Sequence, residues 1–139
     1  MDLDDALAWV GERKHAVLIT TKSDGSPQSS DVVYAVWDDT VVVSVTDGRA
    51  KTANMRRDPR IVVHITEPSS WSYVSLSGEA QLGEIAQEPG DEASNDLLAY
   101  FEDVSGEEHS DPDEYRQAMV DDKRLLVRFK PDRAVGQLN

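Results

Sequence analysis

The sequence predicts a mainly β protein: a small, curved antiparallel barrel of about six to seven strands, with short helices around it. Strand-like runs rich in β-branched residues recur along the chain, and turns containing Gly, Pro, Asp or Ser separate them. No long helices alternate regularly with these runs, as a doubly wound parallel sheet would require. We expect the 139 residues to form a single domain.

The first half of the chain predicts one helix and three strands. Residues 2–12 place apolar side chains at helical spacing after an Asp cap. Residues 15–22, 28–37 and 40–46 are strand-like, and short turns join them. Because the connections are tight, these three strands are expected to form an antiparallel meander.

The second half predicts more strands and two further helices. Residues 60–66, 71–76 and 79–82 are strand-like, with Gly78 expected to mark a bulge. An acidic segment containing Pro and Gly follows as an exposed loop. Helices are then expected over residues 95–102 and from residue 112 or 113 to 120, and residues 124–130 form the last strand.

The composition excludes several classes of chemistry. With no Cys, the chain has no disulfide, no thiolate nucleophile and no Cys-ligated zinc or iron–sulfur cluster. His15, His64 and His109 form no local pair, so no metal site is predicted, and G-x-S-x-G, P-loop and G-x-G-x-x-G motifs are absent. A net charge of -13 disfavours nucleic acid as a ligand. Without a bilayer-spanning apolar run or a basic leader, we expect a soluble, cytoplasmic protein.

Residues 47–60, DGRAKTANMRRDPR, form a basic segment in this acidic chain. Residues 49–60 contain five basic residues and one acidic residue, so this window has a net charge of +4. A predicted strand enters the segment and a short helix, ended by Pro59, leaves it. Helix-start N–H groups together with Arg and Lys favour a phosphate site. The alternative is a solvated basic turn that balances nearby carboxylates.

Four segments together resemble the split β-barrel proteins of the pyridoxamine 5'-phosphate oxidase superfamily, which bind flavin or deazaflavin. They are HAVLITTKSDGSPQSSDVVYAVWDD, RAKTANMRRDPRIVV, WSYVSLSGEAQL and EEHSDPDEYRQAMVDDKRLLVRF. The last segment is similar to the actinobacterial subgroup that depends on coenzyme F420, a deazaflavin. The RAKTANMRRDPRIVV motif does not itself choose between F420 and FMN.

The resemblance implies a set of cofactor-binding residues. It places Lys51 on the cofactor phosphate, with Arg49 and Asn54 as further donors. Arg56 and Arg57 are further candidates, although both cannot face the same anion on a short helix. Ring-bordering positions are implied in two strands: Val43, Ser44, Val45 and Thr46 in one, and Pro27, Gln28, Ser29, Ser30 and Asp31 in the other. Trp71 and Tyr73, expected on one strand face, line the pocket or pack a dimer interface.

The resemblance also implies a function, namely an F420-dependent reductase that transfers a hydride between the deazaflavin and a small unsaturated organic substrate. Two alternatives are an FMN-dependent oxidase or reductase and a carrier that binds F420 or flavin without turnover. A third is an interaction domain whose basic turn meets an acidic partner. A homodimer with cofactor sites between the two barrels is expected. The sequence identifies no catalytic side chain.

Overall fold

The computed structural model describes residues 1–139 as eight strands, four α-helices and one 3₁₀ turn, Pro68–Ser70. In chain order the elements are α1 (Leu3–Val10), β1 (His15–Thr21), β2 (Pro27–Val33), β3 (Ala35–Trp37), β4 (Thr40–Thr46), α2 (Ala50–Arg57), β5 (Arg60–Glu67), β6 (Ser72–Leu82), α3 (Glu92–Ser105), α4 (Pro112–Asp121), β7 (Arg124–Phe129) and β8 (Arg133–Gln137). This confirms the predicted mainly β, antiparallel barrel with short peripheral helices. None of the helices is long and apolar enough to cross a membrane.

The strands form one curled antiparallel sheet in the order β2-β1-β5-β6-β7-β4-β3. Long β6 changes partner along its length: residues 73–77 pair with β8 and residues 80–82 pair with β7. The bulge expected at Gly78 is absent, because β6 pairs with β5 without an inserted residue from Ser72 to Glu79. Gly78 has another role. A Cβ there would lie 2.8 Å from the Phe129 ring, so glycine lets β6 pass the barrel core.

The expected meander of the first three strands is wrong. The second predicted strand, residues 28–37, divides at Tyr34 into β2, which pairs with β1, and β3, which pairs with β4. Tyr34 bends the chain because its amide donates to Lys14 O at 2.9 Å and its hydroxyl to Val10 O at 2.6 Å. Since β2 and β3 lie at opposite ends of the strand order, residues 27–37 connect the two ends and close the barrel.

Alternation along β4 sorts its side chains between two cores. Val41, Val43 and Val45 pack inside the barrel, whereas Val42 packs outside it in a second core beneath α3 and α4. Ser44 and Thr46 share the outer side with Val42. The end of β4 therefore presents two hydroxyl side chains next to the start of α2.

Tyr34 ties α1 to the barrel, and we expect Tyr34→Phe to lower the free energy of unfolding by about 1–2 kcal/mol. The substitution removes the shorter of two hydrogen bonds to the Val10 carbonyl and leaves only the one from the Arg13 amide at 3.1 Å. Chemical denaturation measures the loss, with Tyr73→Phe, at an exposed tyrosine, as the matched control.

A second readout comes from pH. Burial raises the pKa of Tyr34 above its ordinary value of 10.0, so this tyrosine's stabilisation is complete below pH 10 and declines at higher pH. Wild type and Tyr34→Phe should therefore converge in stability above pH 10. Equal losses for Tyr34→Phe and Tyr73→Phe at neutral pH would contradict this role.

Candidate functional site

The start of α2 lies directly after β4 and has no side-chain cap. Arg49 occupies the N-cap position without a capping hydrogen bond, and the first turn contains no acidic residue. The loop between β4 and α2, residues 47–49, is fixed by hydrogen bonds to Thr46. The Thr46 carbonyl accepts from the Thr52 hydroxyl at 2.7 Å and from the Arg49 amide at 3.2 Å. Since the first N–H groups of a helix have no intrahelical acceptor, this end attracts an anion.

Three cations gather around this helix start: Arg49, Lys51 and Arg124. Lys51 is half-buried, and its pKa is lowered by burial first and then by the charges of Arg49 and Arg124. No carboxylate forms an ion pair with any of the three. Such pairs would be easy to form in a chain with 27 Asp and Glu residues. The cluster therefore carries positive charge that the protein itself leaves uncompensated.

Arg124, the first residue of β7, was not identified from the sequence. The β4–β7 register places it opposite Thr46, and its guanidinium donates to the Ser44 hydroxyl over a long 3.4 Å. Its Nε is buried and has no acceptor. A buried N–H without an acceptor is costly, so Arg124 is suited to donate to a bound anion.

Two tyrosine hydroxyls lie near Arg124 on the helical side of the cluster. Tyr100 donates to Val33 O at 2.6 Å, and Tyr115 makes a longer contact of 3.4 Å with Leu97 O. Burial raises the pKa of both, that of Tyr115 to about 12, and the Arg124 charge opposes the rise. Both hydroxyls therefore stay protonated at neutral pH.

Four of the predicted residues, Ser44, Thr46, Arg49 and Lys51, lie at the end of β4 and the start of α2. Val45, by contrast, points into the barrel core with 1% of its surface exposed. Only the Val45 backbone can face a ligand at the outer side of β4.

Asn54 and Gln28 lie in a separate polar network that fixes α2 to the barrel. The buried Asn54 amide donates to Gln28 Oε1 at 2.7 Å and to Thr20 Oγ1 at 3.1 Å. Arg57 donates to Asn54 Oδ1 at 2.8 Å and to Thr21 O at 3.0 Å. With its amide hydrogens and oxygen engaged, Asn54 serves here to position the helix.

Three other predicted residues lie apart from the cation cluster. Arg56 pairs with Asp47 at 2.6 Å, which neutralises it. Ser30 lies half-buried on the edge strand β2, opposite Leu18. Trp71 was predicted to lie in one strand with Tyr73, and this prediction is wrong. Trp71 ends the 3₁₀ turn in a left-handed conformation (φ 57°), just before β6 begins.

Two surface grooves accompany the barrel, and neither is lined by Lys51 or Arg124. The first, of about 850 Å³, crosses the outer side of β1, β5 and β6. The second, of about 550 Å³, lies between residues 83–93, α3 and β7. These two grooves therefore do not coincide with the cation cluster, which is identified by its charge pattern. No group of three His, Asp or Glu side chains is arranged to hold a metal ion.

The curled antiparallel barrel with its peripheral helices defines a split β-barrel protein. Residues 3–137 match the family model described as "Pyridoxamine 5'-phosphate oxidase", and the chain belongs to this family. This confirms the resemblance noted in the sequence.

Solved structures share the fold at low sequence identity. The conserved hypothetical protein Rv2991 from Mycobacterium tuberculosis is 22% identical, with a TM-score of 0.78 over 98% of this chain and 84% of that one. An F420 reductase is 18% identical, with a TM-score of 0.68 over 91% and 94%. A Listeria innocua protein assigned provisionally to the pyridoxamine 5'-phosphate oxidases is 19% identical, with a TM-score of 0.67 over 96% of each chain.

Proposed function

We propose that this protein is an oxidoreductase that binds coenzyme F420 and transfers a hydride between the deazaflavin and a small unsaturated organic substrate. The observation that carries the proposal is the cluster of Arg49, Lys51 and Arg124 at an uncapped helix start, with no carboxylate partner. An anionic group of a cofactor is the ligand that such a cluster accommodates.

The residues present fit a phosphate-bearing cofactor. Lys51, Arg49 and Arg124 would hold the phosphate together with the first-turn N–H groups of α2, and the buried Arg124 Nε would gain its missing acceptor. Ser44 and Thr46 would border the ring from the outer side of β4. Asn54 and Gln28 would keep α2 in register with the barrel.

When bound, the deazaflavin supplies the hydride chemistry, and the protein supplies binding, orientation and shielding from water. The cations fix one end of the cofactor. The outer side of β4 and the Tyr100 side of α3 then limit where a substrate can approach. We assign no catalytic side chain.

F420 is preferred over FMN because the last segment of the sequence is similar to the F420-dependent subgroup. The F420 reductase among the solved structures is compatible with this choice. The second candidate is an FMN-dependent oxidase or reductase, which the family description favours. Because both cofactors carry a phosphate, the cation cluster suits either. A carrier that binds F420 or flavin without turnover is the third candidate.

We further propose that the chain is a single cytoplasmic domain that forms a homodimer, with cofactor sites between the two barrels. A second chain would enclose a ligand that the open cation cluster reaches from one side only.

A parallel titration with F420 and FMN tests the cofactor assignment. We expect saturable binding of F420, followed by absorbance and fluorescence, and weaker binding of FMN. Mass spectrometry of any cofactor released from the purified protein is an independent check. Tightly held FMN without F420 binding would overturn the preference for F420.

Turnover separates an enzyme from a carrier. Reduced F420 is incubated with a panel of enones, quinones and tetrapyrroles, and we expect protein-dependent oxidation with at least one of them. Saturable binding without oxidation across the panel would favour the carrier. No binding of either cofactor would favour an interaction domain whose basic turn meets an acidic partner.

A further inference from the structure

Lys51 differs from the other four lysines of the chain in its surroundings. It is half-buried in the first turn of α2. No carboxylate forms an ion pair with it, and the charges that act on it are those of Arg49 and Arg124. The other lysines are all exposed: Lys14, Lys22, Lys123 and Lys130.

These surroundings favour the neutral amine of Lys51. Burial and then the two guanidinium charges lower the pKa of Lys51 from its ordinary value of 10.5. An amine attacks a carbonyl carbon only when it carries no proton, and a lowered pKa raises the neutral fraction near neutral pH. Desolvation and neighbouring cations are the means by which proteins turn a lysine into a nucleophile. Lys51 therefore reacts more readily than a lysine of ordinary pKa.

The cation cluster also offers a place for a phosphate group next to this amine. Arg124 Nε is buried without an acceptor, and no side chain caps the start of α2. Asp47, the nearest carboxylate in the sequence, is already paired with Arg56 at 2.6 Å. A phosphate held by the free cations and the first-turn N–H groups would bring an electrophile attached to it close to the Lys51 amine.

We infer that Lys51 is a site of covalent acylation by small acyl phosphates, of which acetyl phosphate is the simplest. The Lys51 amine attacks the acyl carbon, the bond between this carbon and the phosphate oxygen breaks, and inorganic phosphate leaves. The amine proton passes to the phosphate or to water. The products are an amide and inorganic phosphate, and nothing is oxidised or reduced. The inference deepens the proposed function, since it rests on the same anion site and gives that site a covalent control.

An acyl phosphate suits the cluster because its phosphate is both the group that the cations recognise and the group that leaves. Arg49 and Arg124 would stabilise the charge that develops on the leaving phosphate. A bound dianion favours the protonated amine, so we expect proximity to contribute more to the rate than the neutral fraction does. Exposed lysines lack this advantage, because the chain as a whole carries a charge of -13 that repels a dianion.

Acylation of Lys51 would weaken the anion site. The amide is uncharged and keeps one N–H donor where the ammonium group had three. Arg49 and Arg124 stay protonated and do not react in this way. Lys51 is therefore the member of the cluster through which the site can be controlled covalently. A cofactor already bound would occupy the phosphate position and protect the amine.

The test compares two acetyl donors on the full chain. Acetyl phosphate carries the phosphate group, whereas the N-hydroxysuccinimide ester of acetic acid is uncharged. Peptide mass spectrometry measures the initial rates at Lys51 and at Lys123, the matched control, which is exposed and adjacent to Arg124 in the sequence. With acetyl phosphate, we expect Lys51 to react at least about tenfold faster than Lys123. With the uncharged ester, this ratio should fall severalfold, because no phosphate directs the reagent.

Arg124→Met separates phosphate recognition from nucleophilicity. The loss of the guanidinium should reduce the ratio of the Lys51 rate to the Lys123 rate severalfold more with acetyl phosphate than with the ester. A change in the pKa of Lys51 affects both donors alike, so it cancels in this comparison. Circular dichroism verifies folding. If the variant fails to fold, competition in the wild type provides the test: inorganic phosphate should slow acetylation at Lys51 and leave Lys123 unaffected.

The consequence for the cofactor is measured by titration. F420 should slow acetylation of Lys51, and the acetylated wild type should bind F420 at least about tenfold more weakly. Lys51→Arg, whatever its affinity, should bind F420 equally well before and after treatment with acetyl phosphate. Unchanged F420 affinity after acetylation of Lys51 would overturn its role in control.

Two further outcomes distinguish this inference from the proposed function. If Lys51 reacts no faster than Lys123 with acetyl phosphate, or if the ratio of their rates is the same for both donors, the inference is overturned and the cofactor titration is unaffected. Selective acetylation of Lys51 in a protein that binds neither F420 nor FMN would support the modification site and overturn the cofactor assignment.

Discussion

Replacing Lys51 with methionine weakens F420 binding by about tenfold to a hundredfold, which corresponds to the loss of a hydrogen bond to a charged group. Arg124→Met is expected to weaken binding by a similar factor, because the same anion loses its contact with the Arg124 guanidinium. The double variant should bind weakest. Fluorescence titration at fixed ionic strength measures all three, and the affinity should fall with salt more steeply for wild type than for the variants.

Arg56→Met is the matched control, because Arg56 lies on the same short helix but pairs with Asp47 at 2.6 Å. It should change F420 affinity by no more than about twofold, since a neutralised, exposed cation contributes little at a distance. Equal losses for Lys51→Met and Arg56→Met would show that only the overall charge of the segment matters. The specific cation cluster would then be wrong as the binding site.

The free energy of unfolding of the cofactor-free protein provides an independent test of whether Lys51 serves binding or structure. Its pKa lies below the ordinary 10.5 because of burial and the neighbouring Arg49 and Arg124. A charged lysine with a lowered pKa costs the folded state free energy at neutral pH, and this cost disappears as pH rises through the lowered pKa towards 10.5. Lys51→Met should therefore preserve or raise the free energy of unfolding at pH 7, whereas a structural lysine would give a loss.

The sequence predicted most strands because their burial follows short-range alternation. In β1, β4, β5 and β7, Val, Ile and Leu occupy buried positions. This pattern of apolar residues can be recognised in the sequence alone. Strand β8 was not predicted, because its sequence RAVGQ is short and mostly exposed. The division at Tyr34 depends on hydrogen bonds to Lys14 and Val10, which no local pattern reveals.

The candidate site was predictable only where it is continuous in sequence. Arg49 and Lys51 stand out as basic residues in an acidic chain. Arg124 lies 80 residues from Ser44, and only the β4–β7 register brings the two side chains together. The different roles of Asn54 and Arg56 also depend on tertiary partners, Gln28 for one and Asp47 for the other. A basic segment thus indicates an anion, but the fold decides which cations remain free to bind it.

Gly136→Ala is expected to destabilise the protein by about 3 kcal/mol or more, the upper range for overpacking, because the added methyl group meets backbone atoms. A Cβ at Gly136 would overlap the Tyr73 carbonyl oxygen and lie 2.9 Å from Val74 Cα. Backbone in the middle of β6 cannot yield as a flexible side chain would, since β5 holds its other edge. Strand β8 must therefore separate from β6, and urea denaturation measures the loss.

Gly48→Ala is the matched control, because a Cβ at Gly48 meets no atom within 4 Å and Gly48 has no positive φ. It should change stability by a few tenths of a kcal/mol, and any gain would come from the unfolded chain. Hydrogen exchange then distinguishes local from global damage in Gly136→Ala. Faster exchange confined to residues 133–137 and 73–77 would mean that β8 detaches while the barrel persists. Because β8 pairs only with β6, such a variant should keep the cation cluster at the start of α2.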